Sequence, residues 1–272
     1  MRLSLEKQEL SLVYQPVLAL ASEKIVGMEV FLRWKHPDLG EIAPSEFIPI
    51  AEETGMILAI GTWVLKMACT QYMIWCHAHN LILMINLSAK QLKDPGFVAL
   101  VKHILDETHM PPEYLEFDLR ETIVMDRLEE LETVLTDLHD LGIKIAIDNF
   151  GTGHASLSRL KALPIQILKI DRSFITEVAD NHENLIVSSI IGLAKGLKLE
   201  LIAEGVETET QERFLRTHGC QMTQGFYYQE PLSTNEMGDL LQKISKKSAH
   251  PMMKKSRPAA VIPFTRNTPP TH

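Results

Sequence analysis

Residues 127–148 read R-L-E-E-L-E-T-V-L-T-D-L-H-D-L-G-I-K-I-A-I-D. Leu128, Leu131, Leu135 and Leu138 recur at three and four residues while Glu129, Glu130, Glu132 and Asp137 occupy the other face, which predicts an amphipathic helix over 127–141. Gly142 stops it. Residues 143–147, I-K-I-A-I, follow at once as a strand-length apolar run ending in Asp148. A helix handed directly to a short buried strand is the unit of a parallel sheet, whose neighbouring strands need a crossover of about a dozen residues.

The same alternation extends in both directions. Further strand-length runs lie at 11–20, 25–34, 81–87, 114–119, 165–170 and 199–203, with helical spacing at 62–79, 88–108, 184–198 and 207–218. Ser88 and Asp171 stand as caps or turn residues. No glycine fingerprint for a dinucleotide follows the first strand, so a closed (β/α) barrel is favoured over an open doubly wound sheet. The chain of 272 residues is long enough for one such domain. We assign it to residues 1–241 and read 242–272 as a basic, proline-containing, disordered tail. A membrane-surface or protein-docking role is the sharper alternative for that tail.

Charge supports this division. Seven basic residues and no acids lie in 242–272; removing them from the 27 lysines and arginines leaves 20 against 35 acids, so the body carries about −15. An acidic body excludes duplex nucleic acid as the main partner, because that binding draws on cationic contacts to phosphate. A phosphate ligand would need bridging cations. Cys69, Cys76 and Cys220 lack the spacing of a zinc site or disulfide framework, which implies a reducing, cytoplasmic setting. Cys76, His77 and His79 read as a solvated helix end, and Trp63 and Trp75 as core or interface residues. No signal peptide opens the chain, and no apolar stretch is expected to reach bilayer-spanning length. Met1 leads almost directly into the barrel, so the chain is expected to be one piece of a longer sensor protein.

Barrel chemistry sits at the C-terminal strand ends. Glu29, Asn86, Asp118 and Asp148 each fall at the downstream end of an apolar run, and together they could form an all-oxygen cup for a divalent cation. Taken singly, Glu29 also admits a pair with Arg33, and Asn86 a turn or cap. Further along come Lys169, Glu204, Glu207 and Gln224. A lysine in a barrel mouth can form a Schiff base, neutralise a phosphate or orient a water, and surrounding carboxylates favour the cationic roles. Glu204 could serve as a base for water, whereas Glu207 also reads as a first-turn carboxylate.

The segments Y-Q-P (Tyr14, Gln15, Pro16), E-V-F-L-R-W from Glu29 to Trp34, His36-Pro37, A-E-E-T-G from Ala51 to Gly55, N-L-S at Asn86, D-N-F-G-T-G at Asp148, K-I-D at Lys169, A-E-G-V-E at Ala203 and Gln224-Gly225 resemble the EAL domains of bacterial cyclic di-GMP signalling. The resemblance covers about residues 6–241. It implies a modified TIM (β/α)8 barrel with one antiparallel strand that binds cyclic di-GMP at its mouth. Active members open the ring to pGpG with two Mg²⁺ or Mn²⁺ ions. Carried over, Glu29, Asn86, Asp118 and Asp148, with Asn149 beside them, would be the metal positions. Lys169, Glu204 and Gln224 would position or activate water. Gln15, Arg33, Asp171 and Glu207 would contact ligand, and Glu121, Gly151, Thr152 and Gly153 would couple dimerisation to the site. A homodimer, upstream sensory domains or a protein partner are the associations it implies.

Departures from the family pattern bear on mechanism. Asp118 stands where the family usually has glutamate, pulled back by roughly 1.5 Å. Arg120 replaces a threonine. The second of the paired aspartates before F-G-T-G is Asn149, which keeps a carbonyl but loses a charge. A unit charge at about 4 Å is worth roughly 4 kcal/mol at an effective dielectric of 20, and about 1.4 kcal/mol changes occupancy tenfold. The expectation is therefore one Mg²⁺ or Mn²⁺ site with the second doubtful, and cyclic di-GMP binding with weak or absent hydrolysis. An active phosphodiesterase and a nucleotide-independent interaction module are the alternatives.

Overall fold

The computed structural model describes residues 9–75, 80–126, 128–153, 157–178 and 184–246. In chain order the elements are β1 (Leu10–Ala19), β2 (Lys24–His36), β3 (Gly40–Ile42), α1 (Pro44–Glu53), α2 (Ile57–Trp75), β4 (Ile82–Asn86), α3 (Ala89–Leu92), α4 (Phe97–Thr108), a 3₁₀ turn (Pro112–Tyr114) and β5 (Leu115–Arg120). They continue as α5 (Glu121–Asp126), α6 (Leu128–Asp140), β6 (Lys144–Phe150), α7 (Leu157–Ala162), β7 (Ile167–Ile170), α8 (Arg172–Thr176), α9 (Leu185–Leu197), β8 (Glu200–Ala203), α10 (Glu209–His218), β9 (Met222–Thr223), β10 (Leu232–Ser233) and α11 (Thr234–Lys246).

The strands run in the order β10-β1-β9-β8-β7-β6-β5-β4-β2-β3, and a β1–β2 pairing closes the barrel, leaving β3 and β10 as appendages. Within the barrel β2, β4, β5, β6, β7, β8 and β9 are parallel, whereas β1 runs antiparallel to both β2 and β9. The hairpin from β1 to β2 dictates this reversal. The fold is thus the modified α/β barrel with one antiparallel strand.

Alternation along each strand divides two cores. Leu83, Ile85, Leu115, Phe117, Leu119, Ile145, Ile147, Leu168, Ile170 and Leu201 face the helices in the main core. Val17, Met84, Ala146, Ile167 and Ile202 form a separate plug inside the barrel. Because side chains alternate with period two, the residue two steps further toward the mouth shares the lumen face. That step leads from Met84 to Asn86, from Ala146 to Asp148, from Ile167 to Lys169 and from Ile202 to Glu204. On reversed β1 the same level is reached backwards, from Val17 to Gln15, and Gln15 pairs with Glu29 in the β1–β2 register. A largely apolar plug below a polar ring is therefore written into strand periodicity.

Several expected boundaries move. Met222–Thr223 supplies a closing strand too short to stand out as an apolar run. Strand β2 runs on past the barrel to pair with β3, so Glu29 lies mid-strand, although its barrel pairing with β4 covers only Gly27 to Val30. The helix expected over 88–108 divides at Lys93 to Gly96, where Pro95 interrupts it and Asp94 Oδ1 accepts from the Gly96 N–H at 2.8 Å. Ser88 caps α3 through a capping box, and Thr208 with Gln211 caps α10, a place considered for Glu207. Helix α11 runs to Lys246, so the start assigned to the basic tail is helical; 247–272 lies outside the described residues.

Helix α2, 19 residues, is long and apolar enough by length and composition to cross a bilayer, contrary to expectation. It packs onto the barrel through Ile60, Leu65, Ala68, Cys69 and Tyr72. Trp75 sets its edge on Tyr14 at 4.8 Å, and Trp63 lies against the core, in keeping with the packing role expected of both. Cys69 and Cys220 are buried free thiols, while Cys76, His77 and His79 lie outside the described residues.

Candidate ligand and metal site at the barrel mouth

A cavity of about 990 Å³ opens at the C-terminal ends of the parallel strands. Its floor carries Gln15, Glu29, Asn86, Asp148, Glu204 and Gln224, and its rim Arg33, Arg120, Asn149 and Glu207. Ile48, Ile57, Ile60 and Val64 from α1 and α2 give it one apolar wall. Apolar walls with a few convergent polar groups are the usual make-up of a small-molecule site.

Lys169 is the hub beneath that floor. Its fully buried ammonium lies 2.8 Å from Glu29 Oε2, 2.9 Å from Asp118 Oδ2 and 2.7 Å from Glu204 Oε1. Burial alone would lower its pKa, but the carboxylates of Asp118, Glu204, Glu29 and Asp148 outweigh burial and hold it well above the ordinary lysine value. A cation is thus fixed here, as the neighbouring acids implied. Asn86 donates its Nδ2 to Glu29 Oε1 at 2.7 Å, and the Glu29–Arg33 pair is replaced by Glu29–Lys169. Arg33 turns to its own Leu32 carbonyl and, at 3.8 Å, to Glu41.

One lysine does not neutralise this set. Burial pushes Asp118 and Glu204 well above the carboxylate range, and raises Asp148 too, despite Lys169 pulling each down. Glu116, two residues before Asp118 on the same lumen face, is raised to about 7, again chiefly by burial. It takes the place in the plug where other strands carry an apolar residue. Sequence reasoning missed it, although the two-residue step from Asp118 was the available signal.

The chemistry of the donor set fits a divalent cation. All donors are hard oxygens, the negative charge exceeds the single lysine, and among the described residues the buried Asp118 Oδ1 accepts from no N–H donor, Asp118 meeting the Glu116 carboxyl besides Lys169. Those features suit Mg²⁺ or Mn²⁺, for which Glu29, Asn86, Asp118 and Asp148 are the residues that would serve. Among the described residues no three His, Cys, Asp or Glu side chains already stand in coordinating arrangement, and Asp118 lies below the cavity floor on Lys169. Asn149 is turned aside. It adopts a left-handed backbone (φ 55°), and its Nδ2 donates to Asp171 Oδ2. Asp171 in turn caps α8 by accepting from the Ser173 N–H and hydroxyl, bonds that hold its pKa below normal against the opposing effect of burial. It does not line the cavity.

The remaining expected positions fall around this centre. Gln224 Nε2 donates to Gln15 Oε1 at 2.9 Å, Gln15 Nε2 donates to the Gln229 carbonyl, and among the described residues Gln224 Oε1 has no partner. Glu207 pairs with Arg172 at 2.8 Å. Glu121, buried at the start of α5, accepts from the Gly151 N–H at 2.7 Å and the Gly153 N–H at 3.3 Å, anchoring the loop after β6. Thr152 Oγ1 donates to the Asn149 carbonyl.

A barrel of this topology with an acid-lined mouth defines a class that the comparisons make explicit. The EAL domain model matches residues 1–231, and the chain belongs to the EAL domain family. It is 41% identical over 241 residues to the bifunctional diguanylate cyclase/cyclic di-GMP phosphodiesterase MucR of Pseudomonas aeruginosa, covering 87% of this chain and 35% of that protein. It is 40% identical over 234 residues to the signaling protein YkoW of Bacillus subtilis, covering 85% of this chain and 29% of that one. The PaMucR phosphodiesterase, solved in complex with c-di-GMP, superposes with a TM-score of 0.83 at 40% identity, covering 87% of this chain and 97% of that chain. The chain spans about a third of the length of these curated relatives.

Proposed function

We propose that this chain binds cyclic di-GMP in the mouth cavity with weak or absent hydrolysis, and serves as a receptor or regulatory module. The observation that carries this reading is Asn149, whose amide is held by Asp171 where a carboxylate would be needed to retain a second cation. When bound, a divalent ion would polarise a phosphate oxygen and lower the pKa of water. In-line displacement draws on stabilisation of both attacking and leaving oxygens, and here one Mg²⁺ or Mn²⁺ position is supported by the donor set. The apolar wall of α1 and α2 suits a purine ring. Binding in turn would be communicated through the loop from Gly151 to Gly153 and its Glu121 anchor to a homodimer, to upstream sensory domains or to a protein partner. A cytoplasmic location accords with a cytoplasmic second messenger. Calorimetry tests the reading: failure to bind cyclic di-GMP with and without Mn²⁺ would remove it.

A second reading, an active phosphodiesterase yielding pGpG, is favoured by Glu204 and Gln224 at the cavity floor, with Lys169 bonded to Glu204 from beneath it. Chromatography after incubation with Mn²⁺ separates the two, because rapid accumulation of pGpG replaces the receptor reading with this one.

A further inference from the structure

Arg120 ends β5 beside Asp148, its register partner on β6, and its exposed side chain lines the mouth cavity. Four other cations line the same cavity, and each is engaged. Arg33 reaches Leu32 O and Glu41, Lys90 donates to the Glu53 carbonyl at 3.2 Å, Lys93 pairs with Glu130 at 3.1 Å and Arg172 with Glu207 at 2.8 Å. Among the described residues the Arg120 side chain has no hydrogen-bond or ion-pair partner. A guanidinium is a planar fork suited to two oxygens of one phosphate, and it is always charged. It stands one strand away from Asn149, where a negative charge is missing.

We infer that Arg120 is a phosphate-binding residue of this site, grips one phosphodiester of the cyclic dinucleotide directly, and makes binding independent of a divalent cation. The inference rests on the proposed nucleotide-binding function and adds to it a specific residue and a specific metal requirement. Two changes act in the same direction: loss of an acid at 149 removes a cation's counter-charge, and a fixed cation at 120 takes up the anionic ligand. The Arg120 side chain is exposed and, among the described residues, forms no hydrogen bond or ion pair, so its replacement should leave the barrel intact.

The test is titration calorimetry of cyclic di-GMP into the native chain, Arg120→Gln and Arg120→Lys, each in EDTA and in excess Mn²⁺. The native chain should bind equally in both buffers. Arg120→Gln should bind about 10- to 100-fold more weakly in EDTA, the range of a lost charge-assisted pair, and Arg120→Lys should fall between. Binding by the native chain only with Mn²⁺, or equal affinity of native and Arg120→Gln, overturns the inference while leaving the nucleotide-binding function standing. No binding by the native chain in either buffer removes both.

Discussion

The ammonium of Lys169 and the carboxylate of Asp118, 51 residues apart in the chain, lie 2.9 Å from one another with both side chains shut off from solvent. That pair joins β7 to β5 across the lumen and holds an expected metal ligand below the cavity floor. A substitution at either residue therefore perturbs the packing of the barrel as well as any part the carboxylates play in ligand binding.

Removing the lysine should unbalance the whole set. Lys169→Met leaves Glu29, Asp118 and Glu204 buried without their cation, a change that typically costs about 3–5 kcal/mol. The deficit should grow from pH 5 to pH 8, because Asp118 and Glu204, whose pKa values burial raises in the fold, contribute less stability as pH rises and the variant has no cation to offset this. Urea denaturation at the two pH values measures it, and an equal, small loss at both would show that these acids do not depend on the lysine.

Glu116 makes its own pH signature. Its folded pKa of about 7 lies above the ordinary value of 4.5, so the native state binds the extra proton and this carboxyl's contribution falls as pH climbs between those values. Glu116→Gln should flatten that slope, gaining on the order of 1–3 kcal/mol relative to the native chain between low and neutral pH. Parallel stability curves would mean that Glu116 ionises freely.

The amide of Asn149 donates to Asp171, and a carboxylate cannot. Asn149→Asp should therefore destabilise the cation-free protein by about 1–2 kcal/mol through like-charge contact with Asp171. Mn²⁺ should raise the melting temperature of the variant more than that of the native chain. Identical Mn²⁺ shifts would argue that position 149 has no part in holding a cation.

Glu121 fixes the loop after β6 through two backbone amides. Glu121→Ala should speed hydrogen exchange at Gly151 by roughly tenfold or more, as expected for losing bonds to a charged acceptor. Unchanged protection would place the anchor of that loop elsewhere.

Strand and helix alternation at residues 127–148, and the oxygen donors at strand ends, were legible because periodicity and burial are local consequences of residue type. Strand β9 was not, since two residues carry too little pattern and are held by neighbours on both sides. Nor was Glu116 distinguishable from an outward-facing acid without the lumen phase of β5. Asp171 could be read as a cap, but its second bond to Asn149 depends on where the loop after β6 passes α8.

By itself, then, the amino-acid sequence determined the alternating architecture, the order of the motifs and the family, since these follow from spacing along one dimension. Only the tertiary structure decided which acid faces which cation. Lys169 meets Glu29 across 140 residues, Asn149 is bound to Asp171, and the Arg120 side chain at the rim has no partner among the described residues. Barrel closure and strand stagger bring distant residues to one level, and nothing in the local chain encodes that distance.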